Sequence, residues 1–364
     1  MAAVATKAAG SGKRPLGGPR AQGQRGSVVI ITALFLVGLL GFTAIAVDVG
    51  YLAWQKRELQ NIADAAALAG AQELPNNPDA AVNVATDYAR RNGVGSGGWV
   101  LQSVEVLPSG CTPSRRDCTS LRVRVAHPDA PFFLGRVLGF STADVTVTAQ
   151  AAIQSPTSSD NGMPWALKDS VRQRARYGDV VTIKYSAKEG EQGNYGALAI
   201  PNDHCRGQRG AALYRCNIEN GARVEVGRTY DTEPGNMTGP TRQGLQARLD
   251  STDPRCDSFS EVFEQLAANQ WRFRDDRCNP WSDSGQGSKR VVLIPVIADV
   301  DLRGRSQVEV IGFALAFLED FSCPTGNDCD VKVRFVHALM SADDMMRFGS
   351  YNSRIDIVVP RLTD

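Results

Sequence analysis

The most regular feature of the chain is an uninterrupted apolar run near its N-terminus. Residues Val28–Val47 carry no charged side chain over 20 positions. At about 1.5 Å per residue, a helix of this length spans roughly 30 Å, the hydrocarbon thickness of a bilayer. A helix in a globular core is rarely apolar on every side over such a length. The run therefore predicts a transmembrane helix over residues 28–47.

The helical pattern continues beyond the apolar run, but there it becomes one-sided. Leu59, Ile62, Ala66 and Ala69 recur at spacings of three and four residues, which places them on one face of a helix. The many alanines in this stretch favour helix and allow close approach of a neighbour. Pro75 ends the pattern. This second half is expected to pack against protein.

A second helix and three strands are predicted next. Asn77 and Pro78 suit the N-cap and first position of the helix. The apolar segment 132–140 is expected to form a short helix buried against the sheet. The strands are expected at Trp99–Leu107, Leu121–Ala126 and Val145–Ile153. Residues 48–153 are therefore predicted to form a long helix packed on an antiparallel sheet.

The polar, turn-rich stretch 154–162 predicts a linker to a separate β-rich domain at 163–364. In that domain Ser258 and Glu261 form a capping-box pattern, which predicts a helix running on through Ala267. Strands are expected at Val180–Tyr185, Ala197–Ile200, Arg223–Val226, Val291–Val300, Val308–Leu318, Val331–Met340 and Ile355–Val359. The predicted fold class is α+β: a transmembrane helix continuing into a helix packed on an antiparallel sheet, then the β-rich domain.

Charge and cysteine usage indicate which side of a membrane each part occupies. Residues 1–27 carry five basic and no acidic side chains, so this tail is expected in the cytoplasm and the body outside. All eight cysteines follow the apolar run, and no C-x-x-C zinc spacing occurs. Disulfides in an oxidising compartment fit this usage, although buried free thiols are the alternative and spacing does not fix the pairing. The cysteines are Cys111, Cys118, Cys205, Cys216, Cys256, Cys278, Cys323 and Cys329.

Motifs for catalysis or cofactor binding are missing from the sequence. The three histidines, His127, His204 and His337, have no metal-binding spacing, and neither a G-x-S-x-G nor a phosphate-binding loop motif occurs. The part of the chain after the basic tail is mildly acidic, which gives no reason to expect nucleic-acid binding. We therefore expect a non-enzyme without cofactor, bound metal or small-molecule substrate, whose partners are membrane lipid and other proteins.

The segment RGSVVIITALFLVGLLGFTAIAVDVGYLAWQKRELQNIADAAALAGAQEL resembles the N-terminal segment of TadG-like Flp pilus-assembly proteins of the tight-adherence (Tad) secretion system. The likeness extends over roughly 22–153, including PFFLGRVLGF and VTVTAQAAI. It implies a single-pass protein of the bacterial inner membrane that takes part in pilus assembly and adhesion. The matching motif residues are Asp48, Gly50, Leu59, Asn61, Ala63, Asp64, Ala65, Ala66 and Ala67.

Two departures from related proteins bear on the alternatives. A processed minor pilin carries glutamate five residues after its cleavage glycine, whereas Gly26 here is followed at that position by Ile31. A metal-dependent adhesin of the von Willebrand type needs a D-x-S-x-S motif, which the sequence lacks. Cleavage after the A-x-A sequence Ala44–Ala46 would instead release the body as a secreted protein.

Overall fold

The computed structural model describes residues 25–185, 195–235, 237–267, 269–283, 287–300, 302, 304–324, 329–341 and 346–363. Most of the predicted basic tail, residues 1–24, therefore lies outside the described residues. The chain divides into two compact units. The N-terminal unit comprises Met1–Gln55 and Asp129–Ala143, and the main unit comprises Lys56–Pro128 and Asp144–Asp364.

The apolar run and the one-sided pattern that follows it form one continuous helix of 47 residues. A shorter helix follows it, and the side chain of Asn77 accepts a hydrogen bond from the Ala80 N–H at 3.3 Å, as the capping prediction required. The helices are α1 (Arg25–Ala71), α2 (Pro78–Arg91), α3 (Asp169–Arg174), α4 (Gly210–Asn220), α5 (Thr238–Asp250) and α6 (Phe259–Val262).

Sixteen strands within the described residues join one mixed sheet. They are β1 (Val100–Leu107), β2 (Ser120–Pro131), β3 (Thr142–Gly162), β4 (Trp165–Lys168), β5 (Val180–Tyr185), β6 (Tyr195–Ala199), β7 (Ala222–Glu225), β8 (Thr229–Thr232), β9 (Phe263–Ala267), β10 (Gln270–Phe273), β11 (Val291–Ile297), β12 (Gln307–Ser322), β13 (Cys329–Phe335), β14 (Ala338–Leu339), β15 (Arg347–Ser350) and β16 (Ile357–Thr363). The predicted α+β class is confirmed.

Strand β11 is the centre of the main unit, because its seven residues are buried on both faces. Val291 and Leu293 belong to one hydrophobic core, which also contains Trp271. Val292 and Ile294 belong to a second core, packed with side chains of α4 and α5. Alternate residues of a strand point to opposite faces, so an unbroken apolar run is what a doubly covered strand requires.

The segment predicted as a linker, residues 154–162, instead extends β3 to 21 residues. Two of its serine side chains have hydrogen-bond partners within the fold. Ser159 accepts a hydrogen bond from the Trp281 indole N–H at 3.0 Å, and Ser155 accepts one from the Asn352 N–H at 3.2 Å. Turn-forming residue types therefore fit a strand here, because the tertiary structure supplies their hydrogen-bond partners.

Two predicted helices are also corrected. The capping box at Ser258 and Glu261 is present, but α6 ends at Val262, because the next five residues form β9 and pair with β10. In the N-terminal unit, residues 132–140 form only a 3-10 turn over Gly135–Leu138. Phe133 and Val137 of this segment are exposed rather than buried against the sheet.

Candidate functional site

The apolar run occupies the first half of α1, in the N-terminal unit, and its side chains are exposed. Leu34 is 68% exposed and Phe42 is 78% exposed. Over its most apolar 18-residue stretch the helix buries nothing against the protein, and it is long and apolar enough to cross a membrane. A helix with apolar side chains exposed on all sides requires an apolar solvent around it.

Asp48 follows the apolar run directly and binds the backbone of the segment 132–135. Its carboxylate accepts hydrogen bonds from the N–H groups of Phe133 at 2.8 Å, Leu134 at 3.2 Å and Gly135 at 2.5 Å. Asp48 is only 4% exposed. Burial opposes its ionisation, but the three backbone donors outweigh that effect and lower the pKa of Asp48.

Gly135 is the residue that allows this close approach. A Cβ atom at this position would lie 3.0 Å from the Asp48 Oδ2 and 3.3 Å from the Phe132 Cβ. A larger side chain would therefore push the backbone donors away from the carboxylate. Asp48, one of the motif residues named above, therefore holds the turn at residues 133–135 through these hydrogen bonds.

The second half of α1 lies in the main unit and is buried on one side. Leu59, Ala63, Ala66 and Ala67 are fully buried, and Ile62 is 3% exposed. We call these five residues the alanine seam. The spacing predicted from the sequence is confirmed, since Ala69 is buried as well.

The remaining motif residues lie around this seam or before it. Asp64 accepts a hydrogen bond from the Gln60 side chain at 2.8 Å, one helical turn earlier. Ala65 is half-buried, and Asn61 and Gly50 are exposed. The motif residues therefore do not converge on one pocket, and their arrangement is that of a packing helix.

Gly70 continues the seam at the point of closest packing. A Cβ atom there would collide with the Leu121 side chain and lie 2.6 Å from the Ala81 carbonyl oxygen. Ala85 would be 3.0 Å away. Only glycine lets α1, α2 and β2 approach this closely within the main unit.

All eight cysteines lie in the main unit, in the four nearest-neighbour pairs. Each pair is at disulfide distance, with Cα–Cα separations from 4.0 to 6.0 Å. No free cysteine remains. The pairs are Cys111–Cys118, Cys205–Cys216, Cys256–Cys278 and Cys323–Cys329.

A buried polar cluster in the main unit was not anticipated from the sequence. Arg172 donates hydrogen bonds to Asp169 at 3.2 Å and to Asp356 at 3.0 Å. Tyr177 donates to the same Asp356 at 2.6 Å. Residues 169–177 and 356 are far apart in the chain, so no local spacing marks the cluster.

Burial dominates the electrostatics of this cluster. It raises the pKa of Asp356, against the opposing effect of Arg172. It also lowers the pKa of His337 to about 3, with Arg116 and Arg172 adding to the effect, so His337 is neutral at ordinary pH. An open cleft of about 420 Å³ lies beside Arg116 and Arg172.

The ion pairs of this cluster connect α3 to the segment before β16. The cluster therefore links two segments that are distant in sequence inside the main unit.

Comparison with known proteins gives one result that bears on these features. No curated protein and no solved structure matches the chain. A family model does match residues 26–73, which include the apolar run, Asp48 and the alanine seam. The resemblance stated above is thereby confirmed for this segment: residues 26–73 are similar to the TadE/G-like Flp pilus-assembly family.

Proposed function

We propose that this protein is a membrane-anchored assembly component of a Tad pilus system and that it acts by binding other proteins rather than by catalysis. The observation that carries the proposal is the match of residues 26–73 to the Tad family model, on a helix whose apolar half is fully exposed. The main unit would serve as the part that contacts pilin or envelope components.

The proposed orientation places the N-terminus in the cytoplasm and the main unit outside the inner membrane. Five basic side chains precede the apolar run, and such residues are retained on the cytoplasmic side. Four cysteine pairs in the main unit suit the oxidising periplasm. Charge and cysteine usage therefore support the same orientation.

The mature N-terminus, measured by mass spectrometry on the membrane fraction, separates the proposal from its alternatives. We expect the protein to start at Met1 or Ala2, because a permanent anchor keeps the apolar run of α1 and the residues before it. A start at Ser27 would make the protein a processed pilin, and a start at Val47 would make it a released periplasmic protein. Ile31, in place of the glutamate of processed pilins, supports the first outcome.

The assembly role is tested by deleting the gene in a piliated strain and counting surface pili. We expect pili to be lost and to return when the full-length gene is supplied. Normal piliation in the deletion strain would overturn the proposal. A metal-dependent adhesin would instead leave piliation intact, reduce attachment and show stoichiometric metal in the purified full-length protein.

A further inference from the structure

We propose that residues 132–140 lie in the lipid–water interface beside α1 and give the N-terminal unit a second contact with the membrane. This inference rests on the membrane anchoring proposed above and adds a lipid-binding surface to it. The surface consists of the side chains of Phe133, Leu134, Val137 and Phe140, and we call it the interfacial loop.

The height of the loop follows from its attachment to Asp48. The apolar run ends at Val47, so Asp48 is the first residue beyond the hydrocarbon layer in the proposed anchor. The N–H groups of Phe133, Leu134 and Gly135 lie within 3.2 Å of the Asp48 carboxylate. The backbone of the loop is therefore fixed at the boundary between acyl chains and headgroups.

The loop exposes more apolar surface than its length would suggest. Phe133 is 55%, Leu134 41%, Val137 87% and Phe140 64% exposed. Four exposed large apolar side chains therefore lie within eight residues, and clusters of exposed apolar side chains mark contact surfaces. The exposed large apolar residues of the main unit, such as Val180 and Val300, are instead isolated along the sequence.

The surroundings of the loop have the composition of a membrane interface. The Phe133 ring lies 4.7 Å from the Tyr51 ring, and Tyr51 stacks on Trp54 at 5.9 Å. Tyrosine and tryptophan are enriched at headgroup level, where one part of the ring system is apolar and the other is wet. Arg136, exposed in the same turn, adds a positive charge that suits anionic headgroups.

Lipid fits this surface better than a protein partner because the apolar surface does not stop at the loop. The loop backbone is hydrogen-bonded to Asp48, which directly follows the exposed apolar run of α1, and that run needs lipid in any case. A loop of this kind would enter the membrane to about 5–10 Å below headgroup level. Two points of contact would then fix the rotation of α1 about its own axis.

The test uses the full-length protein in vesicles of phosphatidylcholine and phosphatidylglycerol, with a nitroxide label at one introduced cysteine. Val137→Cys probes the loop, Leu36→Cys probes the anchor, and Val300→Cys is the control on the main unit. Val137 and Val300 are both exposed, so neither label has to displace packed side chains. Collision with lipid-soluble oxygen and with a water-soluble nickel chelate reports the depth of each label.

We expect the label at 137 to collide preferentially with oxygen, several-fold more than the label at 300, and the label at 36 to lie deeper still. A label at 137 as accessible to the chelate as the label at 300 would overturn the inference while leaving the anchor intact. Shielding at 137 that appears only when a second Tad protein is present would assign the surface to protein and also overturn it. A water-accessible label at 36 would instead refute the anchoring itself.

Discussion

The two halves of α1 lie in one helix, and the same family model matches both, yet their side chains suit different surroundings. The first half carries bulky aliphatic side chains that are exposed on every side. The second half buries a narrow line of small side chains, the alanine seam, inside the main unit. Hydrophobicity alone does not separate them, because both are rich in apolar residues.

The difference lies in the size and distribution of those residues. Large side chains all round a helix maximise contact with fluid lipid and leave no room for a close neighbour. Small side chains on one face allow α2 and β2 to approach the helix, as Gly70 shows. The following variants test this contrast, in order of expected effect.

The largest effect is expected from charges in the first half. The double substitution Leu39→Asp with Leu40→Asp places two carboxylates in the apolar run, at about 2.5–3.5 kcal/mol each for insertion near the middle of a bilayer. Loss of carbonate-resistant membrane association is the expected result. The matched Leu39→Ala with Leu40→Ala protein should remain in the membrane fraction. Retention of the aspartate variant would contradict the transmembrane prediction.

The second largest effect, a loss of stability, is expected when one disulfide is removed from the main unit. The Cys256–Cys278 bond closes a loop with a sequence separation of 22, which corresponds to about 3 kcal/mol of free energy of unfolding. Replacing both cysteines by serine should lower that free energy in chemical denaturation, and membrane association should not change. Equal stability of the variant and the unmodified protein would show that the pair is reduced in the native protein.

The glycines of α1 provide the most direct comparison of its two halves. Gly70→Leu should lower the free energy of unfolding by about 1–3 kcal/mol, because the new side chain meets Leu121 and the Ala81 carbonyl. Gly38 has nothing within 4 Å of a Cβ position, so Gly38→Leu should be neutral or slightly favourable. Chemical denaturation in detergent measures both. Equal changes in the free energy of unfolding would contradict the view that only the second half of α1 packs closely against protein.

The smallest effect is expected at Asp48. Asp48→Asn retains one acceptor oxygen but loses the negative charge, so the N–H groups of residues 133–135 should exchange with deuterium faster. Asp87→Asn is the control, since Asp87 is exposed and pairs with Arg91 on α2. Unchanged protection in the Asp48 variant would show that the carboxylate does not hold the turn.

The same site should respond to acid. The folded state lowers the pKa of Asp48 below its ordinary value of 3.8, so the stabilisation is fully present above that pH. It should be lost as the pH falls through the lower folded-state pKa. Protection of the turn, corrected for intrinsic exchange rates, should therefore fall on acidification in the unmodified protein but not in Asp48→Asn.

The sequence predicted best the features that depend on local pattern. The apolar run, the spacing from Leu59 to Ala69, the N-cap at Asn77 and most strands needed only the side chains within a few positions. The cysteines, which the sequence predicts to form disulfides, lie in four sequence-local pairs, although the sequence could not choose among connectivities.

Features that depend on distant partners were missed. The hydrogen bond between Arg172 and Asp356 joins residues 184 positions apart. The stretch 154–162 looked like a linker because its polar residues find their partners only in the folded sheet. Helices α4 and α5 were not predicted, and side chains of both pack in the second core, which is formed by residues distant in the chain. The exposure of Phe133, Leu134, Val137 and Phe140 could not be predicted, because an apolar segment outside a membrane is expected to be buried.

The length of β3 has a consequence for the order in which this protein can complete its fold. One edge of β3 pairs with β16, where Gln154 lies opposite Val359. During synthesis, β3 is made about two hundred residues before β16. The edge of β3 that pairs with β16 therefore has no such partner until the chain is almost complete. An unpaired edge is a template for association with other chains. Until β16 has been made, the edge of β3 at Gln154 therefore remains open to association with other chains.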